Sequence, residues 1–400
     1  MQIAGIIAEY NPLHPGHLLQ LEQTRQLLGP DCGVICAMSG NYVQRGGFAL
    51  LGKHARAEAA VRSGADLVLE LPLPWAVSSA EAFAEGGVGV LAATGLVTHL
   101  SFGSEHGDAA ALEEVADCLL SPEYEAGLQR FLGEGMSFAA CRQAVIRGLL
   151  GEEKAALLDQ PNNILGIEYC KALRRLAPSI RPLTIRRVGA GHDSQDLSAE
   201  IASAGAIRRL LAAGQREEAL ERMAPAMAEI YRREEAAGRA PADILRVERA
   251  MLARLRTMER EDFLALDSGR EGLGNRLYAA AQEAASLEEL LAAAKTKRYA
   301  HARLRRMVLW AWLGLTPAGL PGSAPYIRVL AANARGRELL AMMRKTAAVP
   351  VVTKPADGRK LPEEGRRLFA LEARATDLYD LACPVIPPAG REWRESPVIL

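Results

Sequence analysis

Short apolar runs alternate with apolar residues at helical spacing through the first half of the chain. The runs predict strands at residues 3–8, 33–38, 65–71, 98–102 and 182–188. Between them, apolar residues recur every three or four positions, as they do on one face of a helix. Because strands and helices that alternate at short intervals build parallel sheets with right-handed crossovers, we expect an α/β fold with a Rossmann-like parallel sheet over residues 1–198.

The pattern changes after residue 198. Residues 201–313 carry almost only helical periodicity, which predicts a mainly α-helical domain at 199–313. Residues 314–400 combine two short apolar runs with a helical stretch, which predicts a small mixed α/β C-terminal region. Several prolines and a glycine from Pro384 onward predict that the tail is a loop on the surface.

The turn between the first predicted strand and the first predicted helix reads His14, Pro15, Gly16, His17. A helix start offers free backbone N–H groups and the positive end of the helix dipole to a phosphate. Imidazoles add hydrogen bonds or positive charge, and a glycine lets a ligand approach the backbone closely. This placement predicts a nucleotide-phosphate site in which His14 and His17 are the candidate catalytic residues.

Other candidate contacts follow the ends of predicted elements. They are the polar loop at residues 39–47, Gly103, Asn162 and Arg187. Because the carboxyl ends of parallel strands converge on one crevice, these positions are expected near a bound nucleotide. Gly103 would admit a base or ribose, Asn162 would hydrogen-bond it, and Arg187 would pair with phosphates. The alternatives are a turn glycine, a helix cap and a surface cation.

A basic segment lies late in the helical region. Its candidate phosphate-binding or RNA-binding residues are Lys295, Lys297, Arg298 and Arg305. Cations clustered around a tyrosine in an otherwise neutral chain favour a surface that reaches the phosphates of ATP or RNA. The alternative is a solvated helical face.

The composition of the chain limits the classes of function and the kinds of site that it can have. The 48 Lys and Arg residues balance 48 Asp and Glu residues, which argues against a uniformly basic nucleic-acid-binding protein but allows a local basic patch. The chain has no apolar run that could cross a bilayer and no signal peptide pattern, so we expect a cytoplasmic protein without membrane partners. Its six cysteines are scattered without a CxxC pair, which predicts buried thiols and no metal site.

The order of these motifs resembles the bacterial tRNA(Met) cytidine acetate ligase family, within the HxGH nucleotidyltransferase-like superfamily. The resemblance rests on AEYNPLHPGHLLQL, MSGNYVQRG, GADLVLELP, SFGSE, NNILGIEYCKAL and TKRYAHARLRR. It covers about the whole chain and weakens after about residue 355. Residues 1–198 would then form the nucleotidyltransferase-like ATP-binding domain.

The resemblance implies that ATP and acetate give acetyl-adenylate and pyrophosphate. The acetyl group then passes to the wobble cytidine of elongator tRNA(Met), and AMP leaves. The implied ATP-binding positions are Ile7, Ala8, Glu9, Tyr10, Asn11, Pro12, Leu13, His14, Pro15, Gly16, His17, Leu18, Leu19, Gln20, Gly103, Asn162 and Arg187. The basic segment matches the family's lysine-bearing motif. Nothing in the sequence specifies a divalent metal beside ATP or a protein partner.

Two other functions fit parts of the sequence. A small-molecule nucleotidyltransferase would share the HxGH turn, but it would not account for about 200 further residues with a basic helical segment. A non-catalytic RNA-binding protein on a decayed nucleotide fold is disfavoured by the intact His14, Gly16 and His17. The products formed from ATP would separate the three functions.

Overall fold

A computed structural model describes residues 1–133, 137–187, 202–266, 272–296, 299–319 and 321–400. Two of the predicted RNA-binding residues, Lys297 and Arg298, lie outside these ranges. The predicted boundary between residues 198 and 199 lies outside them as well.

One sheet organises the described residues. In chain order the strands are Ile3–Ala8 (β1), Gly33–Ser39 (β2), Tyr42–Val43 (β3), Gly47–Phe48 (β4), Leu67–Leu71 (β5), His99–Ser104 (β6), Arg181–Arg186 (β7), Ile327–Ala332 (β8), Val351–Val352 (β9) and Val398–Ile399 (β10). The sheet order is β10-β8-β5-β2-β1-β6-β7, with β9 beside β8, while β3 and β4 form a separate hairpin. Neighbouring strands run parallel except β8, which runs antiparallel to β5. The five strands predicted in the first region and their parallel sheet are confirmed.

Helices cover both faces of the sheet and form most of the middle of the chain. They are Pro15–Leu28 (α1), Lys53–Arg62 (α2), Leu73–Ala76 (α3), Ala80–Ala93 (α4), Ala109–Leu119 (α5), Pro122–Gly133 (α6), Phe138–Leu150 (α7), Glu152–Ala156 (α8), Pro161–Leu176 (α9), Ala204–Ala212 (α10), Arg216–Glu221 (α11), Pro225–Ala236 (α12), Glu248–Arg256 (α13), Arg260–Leu266 (α14), Leu273–Glu283 (α15), Leu287–Ala294 (α16), His301–Leu313 (α17), Ala334–Thr346 (α18) and Glu363–Asp380 (α19). None of the helices described is long and apolar enough to span a bilayer.

The sheet is buried on both faces because its strands alternate between two cores. In β2, Ile35 and Ala37 belong to a core that includes residues of α4, α5 and α9. Val34 and Cys36 face the opposite core, which takes in residues of α2, α10 and α12. A third core joins residues 247–315 to α19 and to residues near β3. The predicted regions therefore share cores and a sheet, and their division into three domains stays a prediction.

In the second half, the structure divides one helical stretch and corrects one sequence expectation. Residues 216–237 form two helices, and Pro225 begins the second because proline has no N–H to continue the preceding one. The tail was expected to be a surface loop. Instead, β10 pairs with β8 at the sheet edge, and the Glu392 side chain is buried beneath it. A two-residue strand is too short to be recognised from hydrophobic alternation.

A buried ion cluster attaches the tail to the sheet. The Lys53 ammonium lies 2.7 Å from a Glu70 oxygen and 2.7 Å from a Glu392 oxygen. Arg328 Nε lies 3.5 Å from the other Glu392 oxygen. All four side chains are at most 3% exposed. The charges therefore bring together β5, β8, the start of α2 and the C-terminal segment.

Candidate active site

A cleft opens at the C-terminal ends of β1, β6 and β7. This is the edge where parallel sheets place ligands. The residues lining it are His14, Gly16, His17, Leu19, Gln20, Gly103, Ile185, Arg186, Arg187, Ala202 and Ser203. The histidine turn, Gly103 and Arg187, which lie far apart in sequence, are therefore brought together.

The histidine turn holds its two rings in one fixed arrangement. His14 is the N-cap of α1, and its Nδ1 accepts the N–H of Gly16 at 3.1 Å. Nδ1 of His17 accepts the N–H of His14 at 3.2 Å, and the ring centroids lie 3.9 Å apart. Because both Nδ1 atoms accept, each neutral ring carries its proton on Nε2. Both rings belong to the lining of the cleft.

One expectation about this turn is wrong. The first turn of α1 was expected to offer free backbone N–H groups to a phosphate. Instead, Gly16 donates to the His14 ring, His17 donates to the His14 carbonyl oxygen at 2.9 Å, and Pro15 has no N–H. Hydrogen bonds within the turn already use these groups. The positive end of the helix dipole still favours an anion beside this turn.

Residues on either side of the turn fix it in the core. The Tyr10 ring meets the His17 ring edge-on at 5.0 Å, and burial raises the pKa of the Tyr10 hydroxyl. The Asn11 side chain accepts the N–H of Leu50 at 2.7 Å. The carbonyl oxygen of Leu13 accepts the N–H of Ala224 at 3.0 Å. These contacts hold the histidine turn in position.

The predicted ATP-binding positions thus fall into two groups. Those that line the cleft are His14, Gly16, His17, Leu19, Gln20, Gly103 and Arg187. Those outside the lining are Ile7, Ala8, Glu9, Tyr10, Asn11, Pro12, Leu13, Pro15, Leu18 and Asn162. Their individual roles stay predictions.

The polar loop at residues 39–47, expected near a bound nucleotide, is absent from the lining of the cleft and contacts the end of β1. Glu9 Oε1 accepts the N–H of Gln44 at 2.7 Å. Burial raises the pKa of Glu9, while the hydrogen bond from Gln44 and the charges of nearby arginines oppose that rise. The fully buried Arg56 donates to the carbonyl oxygens of Glu9, at 2.6 Å, and of Ser39, at 3.1 Å. Arg56 therefore fixes the ends of β1 and β2 together.

The positions of Gly103 and Asn162 exclude the alternative roles of a turn glycine and a helix cap. Gly103 lies within β6, paired with Ile185, so it is not a turn glycine. Asn162 lies in the first turn of α9, whose N-cap is Gln160, so it is not the cap. Arg187 is an exposed residue that follows β7, and it lines the cleft beside Gly103.

Several residues at or near the cleft were not identified as site candidates from the sequence. Ser203 caps α10 and also lines the cleft. Arg208, on the same helix, donates to the carbonyl oxygen of Asn11. The sequence carried no site signal here because α10 lies almost 190 positions after the histidine turn. Two helix N-termini, those of α1 and α10, therefore meet the cleft and favour anions there.

The basic segment contacts the hairpin beside the cleft. Arg306 Nη1 lies 3.4 Å from the carbonyl oxygen of Gln44, and Arg305 is exposed. Burial lowers the pKa of Arg306 to about 10. The Lys295 ammonium donates to the carbonyl oxygens of Thr296 and Tyr299, at 2.9 and 2.6 Å, and so closes its own loop. The described part of the segment thus contacts the β3–β4 hairpin through Arg306 and exposes Arg305.

The thiols and the acidic side chains are the residue types most often found at metal sites. All six cysteines are free thiols; five are buried and Cys118 is half-buried. Among the residues described, no group of three or more His, Cys, Asp or Glu side chains could hold a metal ion.

Comparisons with known proteins agree with this architecture. The family model described as HIGH Nucleotidyl Transferase matches residues 1–390. A tRNA(Met) cytidine acetate ligase of Acetivibrio thermocellus is 36% identical, with 100% of both chains covered. One of Fervidobacterium nodosum is 37% identical, covering 92% of this chain and 88% of its own.

Two solved structures match over the full length of both chains. A crystal structure of apo Thermotoga maritima TmcAL is 34% identical, with a TM-score of 0.96. A second crystal structure of the same protein, bound with alpha-thio ATP, has a TM-score of 0.94. The similarity therefore extends across the sheet, the helical region and the tail.

Proposed function

The chain belongs to the HIGH nucleotidyl transferase family and, within it, to the tRNA(Met) cytidine acetate ligases, and we propose that it acetylates the wobble cytidine of elongator tRNA(Met) with acetate and ATP. The products are N-acetylcytidine in the tRNA, AMP and pyrophosphate. The observation that carries the proposal is the paired His14 and His17 rings on the wall of a cleft shared with Gly103 and Arg187.

In the first step, an acetate oxygen attacks the α-phosphorus of ATP and pyrophosphate leaves. Negative charge grows on the leaving group during this displacement. The Nε2–H groups of His14 and His17 and the guanidinium of Arg187 are proposed to stabilise that charge. Because the capping hydrogen bonds fix both rings beforehand, they need little reorganisation when the charge appears.

In the second step, the exocyclic amine of the cytidine attacks the acyl carbon, and AMP leaves with the former acetate oxygen. Bases in RNA are reached after they are splayed out of the stack. We place the tRNA on the side of the cleft bordered by the β3–β4 hairpin and the start of α17, where Arg305 is exposed. Lys295, Lys297 and Arg298 are proposed to add to this basic surface.

The proposed function is tested by incubating the chain with labelled acetate, ATP and total tRNA, followed by nucleoside analysis. Labelled N-acetylcytidine together with AMP supports it. A stable dinucleotide product supports a small-molecule nucleotidyltransferase instead. An absence of ATP binding would favour an RNA-binding protein.

The position of the tRNA is tested with Arg305→Ala. Loss of one phosphate contact should weaken tRNA binding and lower the salt dependence of binding by about one unit of slope, while ATP binding stays unchanged. Arg254→Ala is the matched control, because Arg254 is an exposed helical arginine outside this surface. An unchanged salt slope in Arg305→Ala would contradict the proposed position.

A further inference from the structure

Arg186 is a second arginine on the wall of the cleft, and the proposed function gives it no role. It is the last residue of β7, it is exposed, and it belongs to the lining together with its neighbour Arg187. Among the residues described, no carboxylate lies within ion-pair distance of its guanidinium, and no hydrogen bond engages its side chain. Its positive charge is therefore available to an anion that enters the cleft.

The loop after β6 holds the side chain of Arg186 in place. Arg186 pairs with Ser104 across the two strands, and the N–H of Arg187 donates to the Ser104 carbonyl oxygen at 2.9 Å. Gly107, with φ +79°, lies against the side chain, because a Cβ there would be 2.7 Å from Cβ and 3.2 Å from Cδ of Arg186. Only glycine fits so close. The loop thus fixes the aliphatic part of Arg186 at the edge of the cleft.

Arg187 lies against a different glycine. A Cβ at Gly103 would be 3.2 Å from Cγ of Arg187 and 3.7 Å from its Nη1. Gly103 is within β6, whereas Gly107 is in the loop beyond it. The two arginine side chains are therefore held on separate parts of the wall, where they can bind separate anionic groups.

The reaction of the proposed function brings two anions together. In-line displacement at the α-phosphorus places the entering acetate and the leaving pyrophosphate on opposite sides of that atom. Groups that stabilise the pyrophosphate therefore cannot also hold the acetate. The proposed function assigns His14, His17 and Arg187 to the pyrophosphate. Among the described residues of the lining, Arg186 is the one other cation.

We propose, on the basis of the proposed function, that Arg186 binds the carboxylate of acetate and positions it for attack on the α-phosphorus. A guanidinium donates two parallel N–H groups to a carboxylate, which fixes the orientation of the carboxylate and compensates its charge. Leu19 and Ile185, which also line the cleft, offer apolar contacts to the methyl group. The ligand class of this subsite is thus a small monocarboxylate.

Acetate-dependent ATP–pyrophosphate exchange at varied acetate and ATP concentrations tests this role. Arg186→Ala should raise the apparent KM for acetate about 10- to 100-fold, the size expected for lost hydrogen bonds to a charged group, while the apparent KM for ATP stays near that of the wild type. Arg186→Lys should lie between the two, because lysine keeps the charge without the planar pair of donors. Arg181→Ala is the matched control, since Arg181 is exposed at the opposite end of β7 and outside the lining.

Gly107→Ala tests the geometry without removing the charge. The added Cβ should displace the side chain of Arg186 and raise the apparent KM for acetate more than that for ATP. Gly151→Ala is the control, because Gly151 also has a positive φ, +87°, but a Cβ there would meet no described residue within 4 Å. Thermal unfolding of each variant shows that it is folded.

An unchanged apparent KM for acetate in Arg186→Ala would overturn this inference alone. Equal increases for acetate and ATP would also overturn it, because they would assign Arg186 to the nucleotide. A loss confined to tRNA acetylation, with normal exchange, would overturn it in favour of a contact with an RNA phosphate. Absence of acetate-dependent exchange in the wild-type chain would overturn the proposed function, and this inference with it.

Discussion

At the scale of single residues, the candidate site depends on side chains whose hydrogen bonds fix their chemistry. The Nδ1 atoms of His14 and His17 cap α1, which leaves Nε2 of each ring as the proton carrier. The ammonium group of Lys295, in contrast, already donates to two carbonyl oxygens of its own loop. Residue type alone therefore does not tell which polar atoms are available to a ligand.

The roles of the two ring nitrogens of His17 can be tested separately by substitution. Asparagine places an oxygen near the position of Nδ1 and loses the Nε2–H donor, whereas glutamine does the opposite. His17→Asn should keep thermal stability near that of the wild type while lowering acetate-dependent ATP–pyrophosphate exchange about 10²–10³-fold, the loss typical of one transition-state donor. His17→Gln should exchange faster than His17→Asn and unfold at a lower temperature. Wild-type exchange in His17→Asn would contradict the assigned role.

Glu395 gives a prediction about pH. Burial raises its pKa, but the hydrogen bond and charge of His54, with the charge of Arg391, outweigh burial and lower it from 4.5 to about 2. Because the pKa is lower in the folded state, the stabilisation is fully present above about pH 4.5 and is lost as the pH falls toward about 2.

Urea unfolding of the wild-type chain and of Glu395→Gln measures this effect. The difference in unfolding free energy should be present at pH 5 and should shrink between pH 4.5 and pH 2. Glu364→Gln, at an exposed position of α19, should show no such pH dependence. A difference between wild type and Glu395→Gln that grows on acidification would contradict the predicted direction.

At the scale of elements, the helical region meets the loop after β2 through a contact between α17 and the β3–β4 hairpin. Gly46, in the turn of the hairpin, has φ +76°, and a Cβ there would lie 2.5 Å from the backbone nitrogen of Arg306. Only glycine fits so close to another backbone. The sequence showed a glycine-bearing loop and a basic helix, and their contact became visible only in the fold.

Gly46→Ala should push α17 away from the hairpin. The left-handed backbone conformation and the backbone clash together should cost at least about 1 kcal/mol of stability. We expect tRNA acetylation to fall more than ATP–pyrophosphate exchange, because the basic segment moves while the histidine turn does not. Gly47→Ala is the control, since its Cβ would meet only Val43, at 3.8 Å. Equal losses in the two assays would argue against this interpretation.

At the scale of the whole molecule, the two ends of the chain complete one sheet. Strands β8 and β10 extend the sheet begun by β1 and β2, and Glu392 places a carboxylate between Lys53 and Arg328 in the interior. A buried charge is tolerated only when it is paired. The tail is therefore part of the core that supports the site-bearing strands.

Glu392→Gln should leave Lys53 and Arg328 under-compensated and cost about 3–5 kcal/mol of unfolding free energy. Lys53→Met should also destabilise the chain, and the double variant should lose less than the sum of the two, because the two charges interact directly. Urea unfolding measures all three variants. Glu364→Gln, an exposed change on α19, should stay within about 0.5 kcal/mol of wild type. Additive losses would contradict the pairing.

The sequence by itself determined the elements and the first half of the site. Apolar runs and helical spacing depend on local alternation, so they predicted the five parallel strands and α1 with good accuracy. The histidine turn was recognised for the same reason, because a strand, a turn and a helix follow one another within about 20 residues. The ordered motifs also carried the family resemblance, which the full-length comparisons confirmed.

Tertiary structure decided what local pattern does not encode. Ser203 reaches the cleft, Glu105 accepts a hydrogen bond from Asn162, and Glu392 enters the core, and each of these relations joins segments tens to hundreds of positions apart. The antiparallel β8 likewise inserts next to β5 from the far end of the chain. Such partners depend on how the sheet orders its strands and on which charges must be paired once buried. Local apolar periodicity carries neither kind of information.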